Sequence, residues 1–162
     1  PPISMPYQLW NLSKPPSSLN SVQYSFVNHI LYIGNTAGNA VLVGYSAGVN
    51  NTSQHAMGIG YNAASNVSGD FNTFIGYNSG GLPKVNTIGS YNLAIGPYTG
   101  YNLTTGSRNL IIGSGDVSHS TGRQITTGSD NTLLGFKAGR AIQTGSNNTL
   151  IGNIENIKMR EK

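Results

Sequence analysis

The chain lacks cysteine, and it has little charge of either sign. Without Cys the sequence excludes disulfide frameworks, thiolate metal sites and cysteine nucleophiles. Asp and Glu supply five of the 162 residues and Lys and Arg nine, together 9% of the chain, against about 25% in an average domain. The basic residues form no stripe of the kind that binds nucleic acid, so no nucleic-acid partner is expected. There is no long apolar run either, and no membrane insertion is expected.

Small and polar residues take the place of charge. Gly, Asn, Ser and Thr together make up 73 of the 162 residues. These residue types are poor in helix interiors, and the strong helix formers are scarce. The composition therefore argues against long helices and favours short strands separated by turns.

An aliphatic residue followed by glycine recurs along most of the chain. The glycines of successive copies lie 10, 16, 16, 20, 17, 22 and 17 residues apart. A unit of this length is too short for a repeat that contains a helix, and it fits a coil of two short strands and two turns. We therefore predict an all-β fold, a parallel β-solenoid of about eight short coils, one for each copy. The aliphatic residues before the glycines are expected to form its core: Ile33, Val43, Ile59, Ile75, Ile95, Ile112, Leu134 and Ile151.

An asparagine also recurs, four positions before the repeat glycine. An amide repeated in register indicates a stacked ladder, in which each side chain bonds to its neighbour one coil away. The predicted ladder comprises Asn72, Asn92, Asn109, Asn131 and Asn148.

The repeats divide the chain into three regions. Residues 1–29 contain no glycine and five of the seven prolines, and we interpret them as a non-repeat N-terminal segment for docking or capping. Residues 30–152 form the predicted solenoid. Residues 153–162 are a charged tail with helix-compatible composition that could open a stalk. The long steps of 20 and 22 residues predict surface insertions within 82–91 and 114–123.

Several stretches resemble repeats of known fibre proteins. The segments NLAIG at 92–96 and TGSNNTLIG at 144–152 are similar to the NTAIG-type repeats of viral and bacteriophage fibre proteins, and GYNSG at 76–80 matches the second half of that repeat. A looser resemblance is to the head repeats of trimeric autotransporter adhesins. The resemblance covers roughly residues 31–152 and implies a homotrimeric, left-handed parallel β-roll, intertwined or side by side.

The sequence offers little material for catalysis. Asp70 and Asp130 occupy different positions of the repeat, so the paired carboxylates of a glycosidase are not expected. His29, His55 and His119 are far apart and have no recurrent Asp or Ser partner. We expect no catalytic residues, no metal site and no cofactor, and hence no enzyme. A site formed between subunits remains open on these grounds.

Aromatic residues are the better candidates for binding. Tyrosines follow several repeat glycines and either pack from coil to coil or contact a ligand. A second group is crowded within residues 91–101. Stacking on a surface glycan is predicted for Tyr91, Tyr98 and Tyr101.

The leading hypothesis is a structural segment of a virus or phage fibre or spike. In this view a rigid homotrimeric shaft at the virion surface presents contacts to the host, with residues 1–29 docking to neighbouring virion proteins and a host glycan as a further partner. The alternatives are a bacterial adhesin head at the cell surface, a polysaccharide-degrading spike enzyme and an ice-binding solenoid. The last needs an unbroken column of Thr, which Leu93 and Leu110 interrupt.

Overall fold

The computed structural model describes residues 22–26, 29–35, 38–80 and 86–153, and this part of the chain is all β, without a helix. Most of the predicted N-terminal segment and residues 154–162 of the predicted tail lie outside it. The strands are β1 (Val22–Phe26), β2 (His29–Asn35), β3 (Gly38–Val43), β4 (Met57–Ile59), β5 (Thr73–Ile75), β6 (Leu93–Ile95), β7 (Leu110–Ile112), β8 (Thr132–Leu134) and β9 (Thr149–Ile151).

The strands form one sheet in which the order in space equals the order in the chain. β1 and β2 pair antiparallel, as do β2 and β3. From β3 to β9 every pairing is parallel and in register, so that Ile59 lies beside Ile75 and Ile75 beside Ile95. After each strand the chain winds round, and the next strand pairs in parallel with the one before it. This is the topology of a parallel β-solenoid.

The solenoid has about six turns where the repeat count predicts eight coils. The copy that ends at Gly34 lies in β2, which runs antiparallel to β3. The step from Gly34 to Gly44 is only 10 residues. Such a short step suffices for a hairpin, whereas a parallel return needs a longer crossover. The first two copies therefore contribute a hairpin and the first coil.

Each coil contains one strand instead of the predicted two strands, and this strand has three residues in every coil from β4 to β9. On the opposite side the described residues form only an isolated parallel bridge between Val67 and Thr87. The turns nevertheless stack through single backbone bonds. The N–H of Asn62 donates to the carbonyl of Tyr45 at 2.9 Å, and the N–H of Asn78 donates to that of Tyr61 at 2.8 Å. Turn-to-turn bonds thus take the place of the second strand.

The core is formed by the residue directly before each predicted core residue from Val43 to Ile151, which is the middle residue of strands β4 to β9. These predicted core positions were therefore wrong by one residue. Side chains alternate between the two faces of a strand, and the asparagine two positions before the middle residue already faces inward. The predicted core residues Val43, Ile59, Ile75, Ile95, Ile112, Leu134 and Ile151 therefore lie on the outward face, half-buried or exposed. Ile33 lies in β2, and its side chain is outside the described part. The buried column is Leu42, Gly58, Phe74, Ala94, Ile111, Leu133 and Leu150.

Large and small residues compensate one another along this core. The ring of Phe74 is fully buried, and its strand neighbours are Gly58 and Ala94. Gly80, with φ of 75°, lies in the turn after this strand and packs on the ring of Phe74. A Cβ atom at Gly80 would collide with that ring. The phenyl ring therefore fills the space that three small residues leave.

The position of the core predicts different effects for two adjacent leucines. Leu133 is fully buried, whereas Leu134 is 41% exposed. We expect Leu133→Ala to lower the free energy of unfolding by about 2–5 kcal/mol. Leu134→Ala removes the same atoms from the outward face and serves as the matched control.

Urea unfolding measures both variants at a protein concentration at which light scattering shows single chains, so that no contact between copies covers Leu134. The control should lose at most about half as much as Leu133→Ala, because its side chain leaves no internal cavity. Equal losses would show that the assignment of the two faces is incorrect.

Candidate functional site

The asparagine ladder lines the interior beside the strands. In each step the Nδ2 of one asparagine donates to the Oδ1 of the preceding one at 2.8–3.0 Å. The backbone N–H of the same residue donates to that oxygen too. Nδ2 also donates to a glycine carbonyl of the next coil. The members are those of the sequence pattern: Asn72, Asn92, Asn109, Asn131 and Asn148.

A second ladder, of serine hydroxyls, is absent from the sequence-based expectations. The hydroxyl of Ser107 accepts the backbone N–H of Ser90 at 3.0 Å, that of Ser129 accepts the N–H of Ser107, and that of Ser146 accepts the N–H of Ser129. The sequence signal is a serine two residues before the ladder asparagine, present before Asn92, Asn109, Asn131 and Asn148 and replaced by Asp70 before Asn72. Both ladders are structural and fix the position of each coil on the next.

The outward face of the parallel sheet is uncharged and mostly aliphatic, with Thr73, Thr132 and Thr149 as its polar members. It consists of two columns across seven strands, and no member is charged. Every side chain is half-buried or exposed, and Ile151 reaches 64% exposure. The first column is Val41, Met57, Thr73, Leu93, Leu110, Thr132 and Thr149, and the second is Val43, Ile59, Ile75, Ile95, Ile112, Leu134 and Ile151.

A tyrosine stack follows the repeat glycines. The rings of Tyr45 and Tyr61 lie 5.3 Å apart at 9°, and those of Tyr61 and Tyr77 lie 4.9 Å apart at 10°. These rings cover one another's faces, so each presents mainly its edge to solvent. The coil-to-coil packing that the sequence left as one of two possibilities is therefore what the structure shows for this group.

The tyrosine stack ends at Tyr98 and Tyr101. Tyr98 is tilted by 59° against Tyr77 at 5.3 Å, and Tyr101 meets Tyr98 edge-on at 5.5 Å. The guanidinium carbon of Arg123 lies 5.8 Å from the centre of the Tyr101 ring. These two tyrosines are thus held by aromatic and cation contacts within the chain.

The residues directly before the ladder asparagines form a separate exposed column, here called the pre-asparagine column. His55 stacks on Phe71 at 4.6 Å and 10°, and Phe71 stacks on Tyr91 at 5.0 Å and 15°. Tyr91 therefore belongs to a different stack from Tyr98 and Tyr101. The three predicted glycan tyrosines do not form one cluster. In chain order, the members of the column are Phe71, Tyr91, Arg108, Asp130 and Asn147. His55 takes the equivalent position one coil earlier, where Ala56 stands in place of a ladder asparagine.

The next two members of the column form an ion pair. Nε of Arg108 donates to Oδ1 of Asp130 at 2.7 Å, and a terminal nitrogen donates to Oδ2 at 2.8 Å. The hydrogen bond from Arg108 and its positive charge hold the pKa of Asp130 below its usual range and raise the pKa of Arg108. Both groups are at the surface, where such a pair positions side chains more than it stabilises the fold.

Both predicted insertions contain exposed and buried residues. Of the first, residues 86–91 are described, and Thr87 within them is buried, with its hydroxyl donating to the carbonyl of Leu103 at 2.8 Å. In the second, Asp116 and Val117 are exposed. Nδ1 of His119 lies 2.9 Å from Oδ1 of Asp116. That hydrogen bond, together with the N–H of Ser118, lowers the pKa of Asp116.

Asp70, the remaining acidic residue of the described coils, accepts hydrogen bonds from the preceding coil. The backbone N–H of Gln54 donates to Oδ1 of Asp70 at 2.8 Å, and the hydroxyl of Ser53 donates to the same oxygen at 3.0 Å. These two bonds lower the pKa of Asp70. The described coils contain no group of three or more His, Asp or Glu that could hold a metal ion. In the same residues there is no helix with the length and apolar character to cross a membrane.

Comparison of the chain with protein-family models, with curated proteins and with solved structures finds no match.

The ladder predicts a large effect for one buried amide. Asn109→Ala removes Oδ1, which accepts both the N–H and the Nδ2 of Asn131, and removes the donor to the carbonyl of Gly128. We expect a loss of at least about 3 kcal/mol in the free energy of unfolding, because each unpaired buried group costs about 1–3 kcal/mol.

The matched control is Asn86→Ala, at an exposed asparagine bonded to Ser68. Chemical denaturation of this variant should give a change within about 0.5 kcal/mol. If Asn109→Ala were as mild as the control, the ladder would contribute nothing to stability.

Proposed function

We propose that the chain is a rigid structural segment of a viral or phage fibre that assembles as a homotrimer and presents contacts to a host surface. The observation that carries this proposal is the outward sheet face, an uncharged apolar surface that runs the full length of the parallel sheet. The resemblance of the repeats to those of fibre proteins supports the same conclusion.

The dimensions of the sheet face fit an interface between parallel copies. Six steps of about 4.8 Å make it about 29 Å long, with two side-chain columns about 7 Å apart. An exposed apolar patch of this extent marks an interaction site, since monomeric proteins rarely leave such patches uncovered. If the threefold symmetry axis of the trimer is parallel to the solenoid axis, the solenoids of all three copies run in the same direction. Three sheets around such an axis bury their faces in one common core.

The shaft would present the exposed aromatic columns outward. The tyrosine stack and the pre-asparagine column flank the strands, and both are fixed by ring stacking and by the ladders beneath them. Rigid side chains lose little conformational entropy on binding. A trimer repeats every contact three times, and linked weak sites can raise avidity by about 10²–10⁴. Attachment through several weak contacts therefore suits this architecture better than a single deep pocket.

Assembly gives the first functional prediction. Light scattering at micromolar concentration should give the mass of a homotrimer. Ile112→Asp places a charge in the centre of the apolar face, and burial of an unpaired charge is costly. The variant should therefore be monomeric and retain its strand signal in circular dichroism.

Ser118→Asp is the matched control, because it adds the same charge on the exposed insertion. It should remain trimeric. A monodisperse monomer of the unmodified chain at this concentration would contradict the proposed assembly.

Attachment is tested by incubating the assembled protein with a glycan array and with a panel of host-type cells. We expect saturable binding to a defined set of glycans, with no oligosaccharide released into the medium. Binding lost in the monomeric Ile112→Asp variant would show that avidity is needed. Release of oligosaccharide would favour a polysaccharide-degrading spike instead, and complete absence of binding would reduce the role to a shaft.

A further inference from the structure

The pre-asparagine column holds its residues in a backbone conformation that most of them disfavour. The φ angles are 60° at Phe71, 61° at Tyr91, 55° at Arg108, 59° at Asp130 and 60° at Asn147. Asn and Asp adopt the left-handed region more readily than other residues with a side chain. Aromatic residues and arginine gain no such compensation, so the backbone is strained at three successive coils.

The fold itself does not require these three residue types. The coils of Asp130 and Asn147 form the same strand, the same asparagine ladder and the same serine ladder as the others. Backbone strain that the fold could relieve by a simple substitution is typical of functional sites. Phe71, Tyr91 and Arg108 are therefore the positions of the column where a role outside folding is expected.

Tyr91 stands at the end of its aromatic stack. Tyr91 is 60% exposed, and Phe71 covers one face of its ring. On the side of the next coil stands Arg108, whose guanidinium is paired with Asp130. Among the described residues no other ring and no cation lies over Tyr91. Tyr98, by contrast, contacts aromatic rings of both Tyr77 and Tyr101.

Arg108 and Asp130 lie beside this face and retain unused hydrogen-bonding capacity. The pair uses Nε and one terminal nitrogen of the guanidinium, which has five N–H donors in all. Each carboxylate oxygen of Asp130 accepts one of these bonds and has a further lone pair. The asparagine ladder fixes the distance between the coils of Tyr91 and Arg108. Asn92 and Asn109 directly follow these two residues, and Nδ2 of Asn109 donates to Oδ1 of Asn92 at 3.0 Å.

The geometry points to a binding subsite for one neutral pyranose ring, formed by Tyr91, Arg108 and Asp130. The C–H face of the sugar packs on the open face of Tyr91, whose π electrons attract C–H groups. Neighbouring hydroxyl groups of the sugar accept from the free N–H groups of Arg108 and donate to Asp130. The ion pair has no net charge, which favours a neutral sugar over an acidic one. This inference rests on the proposed role in attachment.

The test uses the methyl glycosides of glucose, galactose and mannose as probes, with the assembled full chain. Saturation-transfer NMR and titration should show binding of at least one glycoside, with its C–H protons close to an aromatic ring. Tyr91→Asn should weaken that binding at least tenfold and leave the thermal midpoint unchanged or higher, because Asn tolerates the left-handed backbone. Tyr91→Phe keeps the ring and should keep the binding.

Tyr61→Asn is the control, since it removes an exposed tyrosine whose ring is stacked between those of Tyr45 and Tyr77, and it should bind the glycosides like the unmodified chain. Arg108→Asn should also weaken binding at least tenfold while the trimer remains intact. Binding that is unchanged in Tyr91→Asn, or absent for all three glycosides, overturns the subsite. Trimer formation and the binding of glycan arrays or cells are measured separately, so the proposed function can survive that result.

Discussion

In-register stacking of each coil on the one before it is the interaction on which the whole structure depends. Asparagine lies on asparagine, serine on serine and glycine on glycine, so the amides and hydroxyls of the two ladders find their partners at the same position of the neighbouring coil. The glycine column shows how close this approach is. At Gly76, with φ of 132°, an added Cβ would lie 2.5 Å from the carbonyl oxygen of Gly96. A single coil has no such partners, and stability therefore arises between coils instead of within them.

The same stacking determines what the surface can be. Any residue type that recurs at one position of the coil becomes a column along the axis, whether or not it contributes to the core. The interior column must fill its space, as Phe74 does between Gly58 and Ala94 and as Ile111, Leu133 and Leu150 do in succession. The exterior columns have no such requirement. They can change from aromatic rings to an ion pair between Tyr91 and Arg108 without disturbing the ladders beneath.

The sequence predicted the repeat, the parallel solenoid and the asparagine positions, because each leaves a periodic trace. The sequence pattern alone could not show which face of each strand is buried. Both faces of the strands are apolar, so Ile111 and Ile112 are equivalent in composition, and only the inward direction of Asn109 decides between them. The hairpin at the start could be predicted only by recognising that a step of 10 residues is too short for a parallel return. Pattern alone also grouped Tyr91 with Tyr98 and Tyr101 because they are near in sequence. In a solenoid, position within the coil decides which side chains meet, and sequence distance does not.

Coil length and strand register are independent of each other in this protein. Steps of 16 and of 22 residues both return the chain to the same in-register pairing. The extra residues change the perimeter of a coil and leave its pitch untouched. Lineages of such a protein can therefore lengthen, shorten or exchange the outer segments one coil at a time, as independent modules. The solenoid axis and the in-register sheet would stay unchanged through such exchanges.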